Sequence, residues 1–120
     1  MTTKENRKRW VEALRSGKFK QNIGALREGD KFCCLGVACE IFKDELGLKY
    51  DSVLGSYNGE CAVLPNVVRE HLGLMSTNGL FGVANPPLSA LNDRGWSFEK
   101  LAQFIESEPE GFLDADIPSV

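Results

Sequence analysis

The chain lacks a long apolar run, has one histidine in 120 residues, and holds no two cysteines at C-x-x-C spacing. Its longest apolar stretch, near Phe32–Ala38, falls far short of the roughly 20 residues that a membrane-spanning helix needs. The first residues, MTTKENRKRW, contain no apolar segment for export, so a cytoplasmic protein with reduced thiols is expected. Cys33, Cys34, Cys39 and Cys61 have no zinc-knuckle spacing, and no metal or other cofactor is implied. An excess of positive charge is also missing. The net charge is −3, which disfavours duplex nucleic acid as a partner.

What is present supports one folded unit. The residues are 42% hydrophobic, with two Trp and seven Phe, enough for a core in a single domain of this length. No repeat, low-complexity segment or dividing linker is visible. Residues 1–106 therefore read as one compact domain, and residues 107–120 as an acidic, peripheral tail. Charge is unevenly spread: residues 1–31 carry nine Lys/Arg against four Asp/Glu, and residues 32–120 carry five against thirteen.

Hydrophobic periodicity and punctuation give the elements. Trp10, Ala13 and Leu14 lie at helical spacing between about Lys4 and Ser16, with Gly17 placed to end the helix. Gly29-Asp30 is a turn signal between two short extended pieces, 25–27 and 31–33. Leu35, Ala38, Cys39, Phe42 and Leu46 mark one face of a buried central helix that stops at Gly47. A short strand is expected at Cys61–Leu64, a helix after Pro65 that ends at Gly73, and another strand at Leu80–Val83. Leu88–Asn92 reads as a helical turn. Ser97 caps a last helix whose apolar stripe is Phe98, Leu101, Phe104 and Ile105. The expected fold class is α+β, with about four helices on a small, mostly antiparallel sheet.

The chemistry-bearing segment is Arg15–Glu40, RSGKFKQNIGALREGDKFCCLGVACE. Arg15, Lys18, Lys20, Arg27 and Lys31 surround the point where an extended piece enters the helix that begins near Cys34. Unpaired backbone N–H groups at such a start, with the helix dipole, can hold an anion. Arg15, Lys18, Lys20 and Arg27 would neutralise phosphate, and amides from Cys34 to Gly36 would orient it. Phe19 or Tyr57 would contact a base, and Gln21 and Asn22 could read its edge or a ribose. The competing reading is a solvated basic surface with core aromatics.

Cys34 at a helix start is also a candidate nucleophile, with His71 as the one available base, although no motif supplies an orienting Asn or Asp. Against this, free cysteine is among the most buried residue types. Asn92-Asp93-Arg94-Gly95 reads as a turn with helix-end capping whose first two residues could close over a ligand. The helix–turn–helix cadence around it has only Lys100 as a base in its second helix, which argues against DNA reading.

Four blocks taken together, WVEALRSGKFKQ, FCCLGVACEIF, VLPNVVREHLGL and LSALNDRGWSFEKLAQFIE, resemble a widespread family of small uncharacterised proteins of phages and bacterial genomes. The resemblance covers most of residues 8–106 and implies a mobile-element setting inside a bacterial cell. It carries no residue roles. By analogy with small phage proteins that counter host defence, it points to a non-enzymatic protein sequestering a small anionic, nucleotide-derived signal, possible as a homodimer with a shared site. The alternatives are a protein-interaction inhibitor acting through the acidic surface, and a cysteine hydrolase using Cys34 and His71.

Overall fold

Thr2 opens the first helix, α1 (Thr3–Arg15), by accepting a hydrogen bond from the Glu5 backbone N–H at 3.1 Å, the side-chain cap that an exposed helix start needs. In the computed structural model, which describes residues 2–82 and 85–117, α1 buries Trp10, Val11 and Leu14. It is followed by β1 (Lys20–Gln21), β2 (Arg27–Glu28) and β3 (Lys31–Phe32), and then by α2 (Cys34–Leu46). A hairpin of β4 (Tyr50–Asp51) and β5 (Ser56–Tyr57) precedes α3 (Asn66–Leu72), α4 (Leu88–Asp93) and α5 (Phe98–Glu106).

The class is α+β, as the pattern of elements predicts, with five helices among the described residues and two small sheets. β2 and β3 pair antiparallel across the Gly29 turn, where φ is +61°, a conformation that glycine adopts without a Cβ penalty. β1 joins the other edge of β3 in parallel, so that sheet is mixed, and β4 and β5 pair antiparallel. The strand expected at Cys61–Leu64 does not form; Leu64 instead buries its side chain from a loop, its N–H bonded to the Thr77 carbonyl at 2.9 Å. Residues 80–82 likewise form no strand, and Val83 of that expected element lies outside the described residues.

α2 is the central helix. Leu35, Ala38, Cys39 and Phe42 are fully buried against α1 and α3, and Trp10 donates its indole N–H to the Cys34 carbonyl at 2.8 Å. Gly36 is where α2 crosses the chain before β2: a Cβ there would fall inside the Leu26 carbonyl oxygen. The expectation of a peripheral tail fails at Phe112, which is fully buried. Leu113 forms a bridge with Leu74, and the Met75 N–H donates to the Phe112 carbonyl at 2.9 Å. One large aromatic is enough to dock an otherwise acidic segment.

Candidate functional site

The start of α2 is closed by the protein itself. Cys33 caps the helix with its Sγ, which accepts from the Gly36 N–H at 3.4 Å, and its carbonyl takes the Val37 N–H at 3.0 Å. The Cys34 N–H donates to Oδ1 of Asn92 at 3.2 Å. Asn92 is fully buried and is a hub: Oδ1 also accepts from Gln21 Nε2 at 2.9 Å, and Nδ2 donates to the Asn22 carbonyl at 2.8 Å. Asp93 beside it accepts from the Gly24 N–H at 2.9 Å. Asn92, not a ligand, thus closes the helix start, its amide oxygen taking up the Cys34 donor that the sequence pattern assigns to an anion, while Asp93 holds the Gly24 loop beside it.

Burial also decides the chemistry of the thiols. Desolvation holds the Cys34 thiol well above its ordinary value and pushes Cys33 up to about 11, outweighing the backbone N–H bonds that favour thiolate. Cys39 is raised for the same reason. Nor is Cys34 near His71. The His71 ring meets Glu45 at 2.8 Å and packs edge-on against Phe42, at the far end of α2. Glu45 lies eleven residues beyond Cys34, about 16 Å along the helix axis at 1.5 Å per residue. A Cys34–His71 pair is not assembled.

Three of the basic residues, Arg15, Lys20 and Arg27, are held by carboxylates, and those of Arg15 come from the far end of the chain. Arg15 bridges Glu99 at 2.9 Å and Glu106 at 2.7 Å, tying α1 to α5. Lys20 pairs with Asp30 at 3.2 Å on the surface. Arg27 donates to the Gly29 carbonyl at 2.7 Å and to Glu40 at 3.4 Å, and its guanidinium lies over the rings of Phe32 and Tyr50. Tyr57 is fully buried, donates its hydroxyl to Glu40 at 2.8 Å, and has its phenol pKa pushed up by burial. Gln21 serves Asn92 and the Trp96 carbonyl. Gly36 is enclosed.

Lys18 and Phe19 stand apart from that set. Both line an open groove of about 470 Å³ between the last turns of α1 and the segment entering β1, together with Arg9, Glu12, Ala13, Ser16 and Ile41. The Phe19 ring is half-buried, fixed edge-on to Phe32 with centroids 5.2 Å apart, and Lys18 is exposed. Among the described residues, no carboxylate lies within ion-pair distance of the Lys18 ammonium. Arg9 reaches the groove from α1 while paired with Glu45 at 2.7 Å.

Asn92 as a buried hub, and the Arg9–Glu45–His71 chain that joins α1, α2 and α3, carry no local sequence signal beyond polar residues within apolar periodicity. Among the described residues no group of three His, Cys, Asp or Glu side chains is arranged to hold a metal ion, and no helix is long and apolar enough to cross a membrane. Residues 2–109 match a family model described as Domain of unknown function (DUF8296). No curated protein and no solved structure matches the chain.

Proposed function

The chain belongs to the DUF8296 family, and we propose that it is a non-enzymatic binding protein that takes a small anionic, nucleotide-type ligand on the groove between α1 and β1. The observation that carries this reading is Lys18 and Phe19 side by side on one open surface, with no carboxylate within ion-pair distance of that cation among the described residues although Glu12 lines the same groove. A phosphate would meet Lys18, with Arg9 and the Ser16 hydroxyl nearby, and a base would lie on Phe19 and Ile41. A groove open on one side also suits a second copy that completes the enclosure. Sequestering a nucleotide-derived signal in a phage-type, anti-defence setting in the bacterial cytoplasm is the use suggested by the sequence blocks.

Calorimetry with linear and cyclic nucleotides tests it. Lys18→Ala is expected to weaken binding about tenfold or more, the scale of removing one charge-assisted hydrogen bond. Arg15→Ala is expected to leave affinity unchanged, because its guanidinium already lies between Glu99 and Glu106. No heat with any nucleotide, or equal losses from the two variants, removes the reading.

One observation favours the protein-interaction reading instead. The Asp51 carboxylate accepts the N–H groups of Val53 and Leu54 at 2.9 and 3.1 Å, fixing a hairpin tip on which these side chains are 90% and 66% exposed. A fixed, exposed apolar tip is suited to contact with a host protein. Val53→Ser with Leu54→Ser would then abolish co-precipitation of that partner and leave nucleotide affinity unchanged.

A further inference from the structure

A second cleft, of about 380 Å³, lies between the first half of α1 and the end of α5. Its floor is Val11 and Ile105, and Lys4 and Lys8 stand on its rim. Arg7 lines it from within the protein, its side chain only 5% exposed. A guanidinium carries five N–H donors. Among the described residues two have partners: one reaches the Leu72 carbonyl at 2.8 Å, and one reaches Glu108 at a long 3.5 Å. Burial lowers the Arg7 pKa, with Glu108 opposing that effect. Such a buried cation, with loosely matched donors beside an apolar floor, fits a bidentate carboxylate.

The other acids on the rim are already engaged. Glu106 is held by Arg15 at 2.7 Å, and Glu5 accepts from the Thr2 hydroxyl at 3.1 Å. Glu108 is the one that contacts Arg7. It is 41% exposed by side chain and sits at φ +47° immediately after the α5 cap, a left-handed position where glycine is the unstrained residue. Its carboxylate approaches the guanidinium without a close bidentate fit, and it can swing to water.

We propose that the Arg7 cleft binds a small carboxylate with an aliphatic body. The carboxylate displaces Glu108 from Arg7, with Lys4 and Lys8 adding positive field, and the chain lies on Val11 and Ile105. The volume falls in the range of small-molecule sites, roughly 300–1,000 Å³. Glu108 is then an internal competitor that weakens the site in the empty protein.

Octanoate, octanol and octylamine, titrated against the full chain by calorimetry and by NMR of the Arg7 Nε–H resonance, test this. Octanoate is expected to bind and to shift that resonance, with octanol and octylamine at least tenfold weaker. Glu108→Gln, which removes the competing charge, is expected to tighten octanoate binding about three- to tenfold. Lys4→Glu with Lys8→Glu, both exposed, is expected to weaken it by a similar factor. Octanol binding as tightly as octanoate would reduce the cleft to an apolar surface and overturn the proposal. So would a failure of octanoate to bind both the natural chain and Glu108→Gln, with each folded by circular dichroism.

Discussion

Replacing Asn92 by alanine tests the claim that this side chain seals α2. Among the described residues the Cys34 N–H has only Asn92 as partner, and Cys34 is fully buried, so the truncation leaves an orphan donor where no water reaches. The Asn22 carbonyl loses its bond from Nδ2, whereas Gln21 keeps the Trp96 carbonyl. A buried orphan costs about 1–3 kcal/mol, and a second, partly buried one adds to it, giving a loss of about 3 kcal/mol. For a domain whose total stability is about 5–15 kcal/mol this is a large fraction. With a urea slope of about 2 kcal/mol per molar, the midpoint falls by about 1.5 M at unchanged slope. Tryptophan fluorescence reads the transition, since Trp10 bonds to Cys34 and Trp96 to Gln21 through its carbonyl. Asn92→Asp puts a carboxylate oxygen against the Asn22 carbonyl and Asp93. Burial beside the Asn22 carbonyl and Asp93 is expected to outweigh the donors from Cys34 and Gln21 and raise that carboxyl's pKa on folding, so the variant is expected to be more stable below the unfolded-state pKa and to lose that stability as pH rises through the folded-state one. A loss below about 1 kcal/mol for Asn92→Ala would refute the sealing argument.

Other outcomes follow from the same packing. Thiol labelling at neutral pH is expected to modify Cys61, which is exposed, quickly, and Cys33, Cys34 and Cys39 only on unfolding; rapid alkylation of Cys34 in the folded chain would count against its burial. Burial raises the folded-state pKa of Cys33 from 9.0 to about 11, so its contribution is fully present below pH 9 and is lost as pH climbs toward 11. Urea midpoints measured across that window, compared with Cys33→Ala, check the sign. Gly36→Ala drives a methyl into the Leu26 carbonyl and is expected to cost about 3 kcal/mol or more; an unchanged melting temperature would show that α2 can shift away.

Long periodic elements are legible without any geometry. The apolar stripes of α1, α2 and α5, the cap at Ser97 and the stops at Gly47 and Gly73 are each written within a few neighbouring residues, so local spacing specifies them. Each strand is only two residues long, and whether it pairs depends on a partner rather than on its own pattern. The surroundings of the basic segment are hidden for a related reason. Lys20 and Arg27 lie near their acids in sequence, but Glu99 and Glu106 reach Arg15 from the other end of the chain. Asn92 comes to Cys34 across 58 residues. A local cluster of one sign is visible in a sequence; its neutralisation by distant groups is not.

The seam between α1 and α5 bears on how the chain reaches its native state. Arg15 meets Glu99 across 84 positions and Arg7 meets Glu108 across 101, so α1 acquires these partners only after the whole stretch between them has been made. A lone helix of 13 residues is marginal in water, and Val11 and Leu14 would stay uncovered during that interval. Closing so long a loop is slow relative to local helix formation. The α1–α5 seam is therefore expected to close after the local helices form, and the aliphatic cleft beside Arg7 exists only once it has closed.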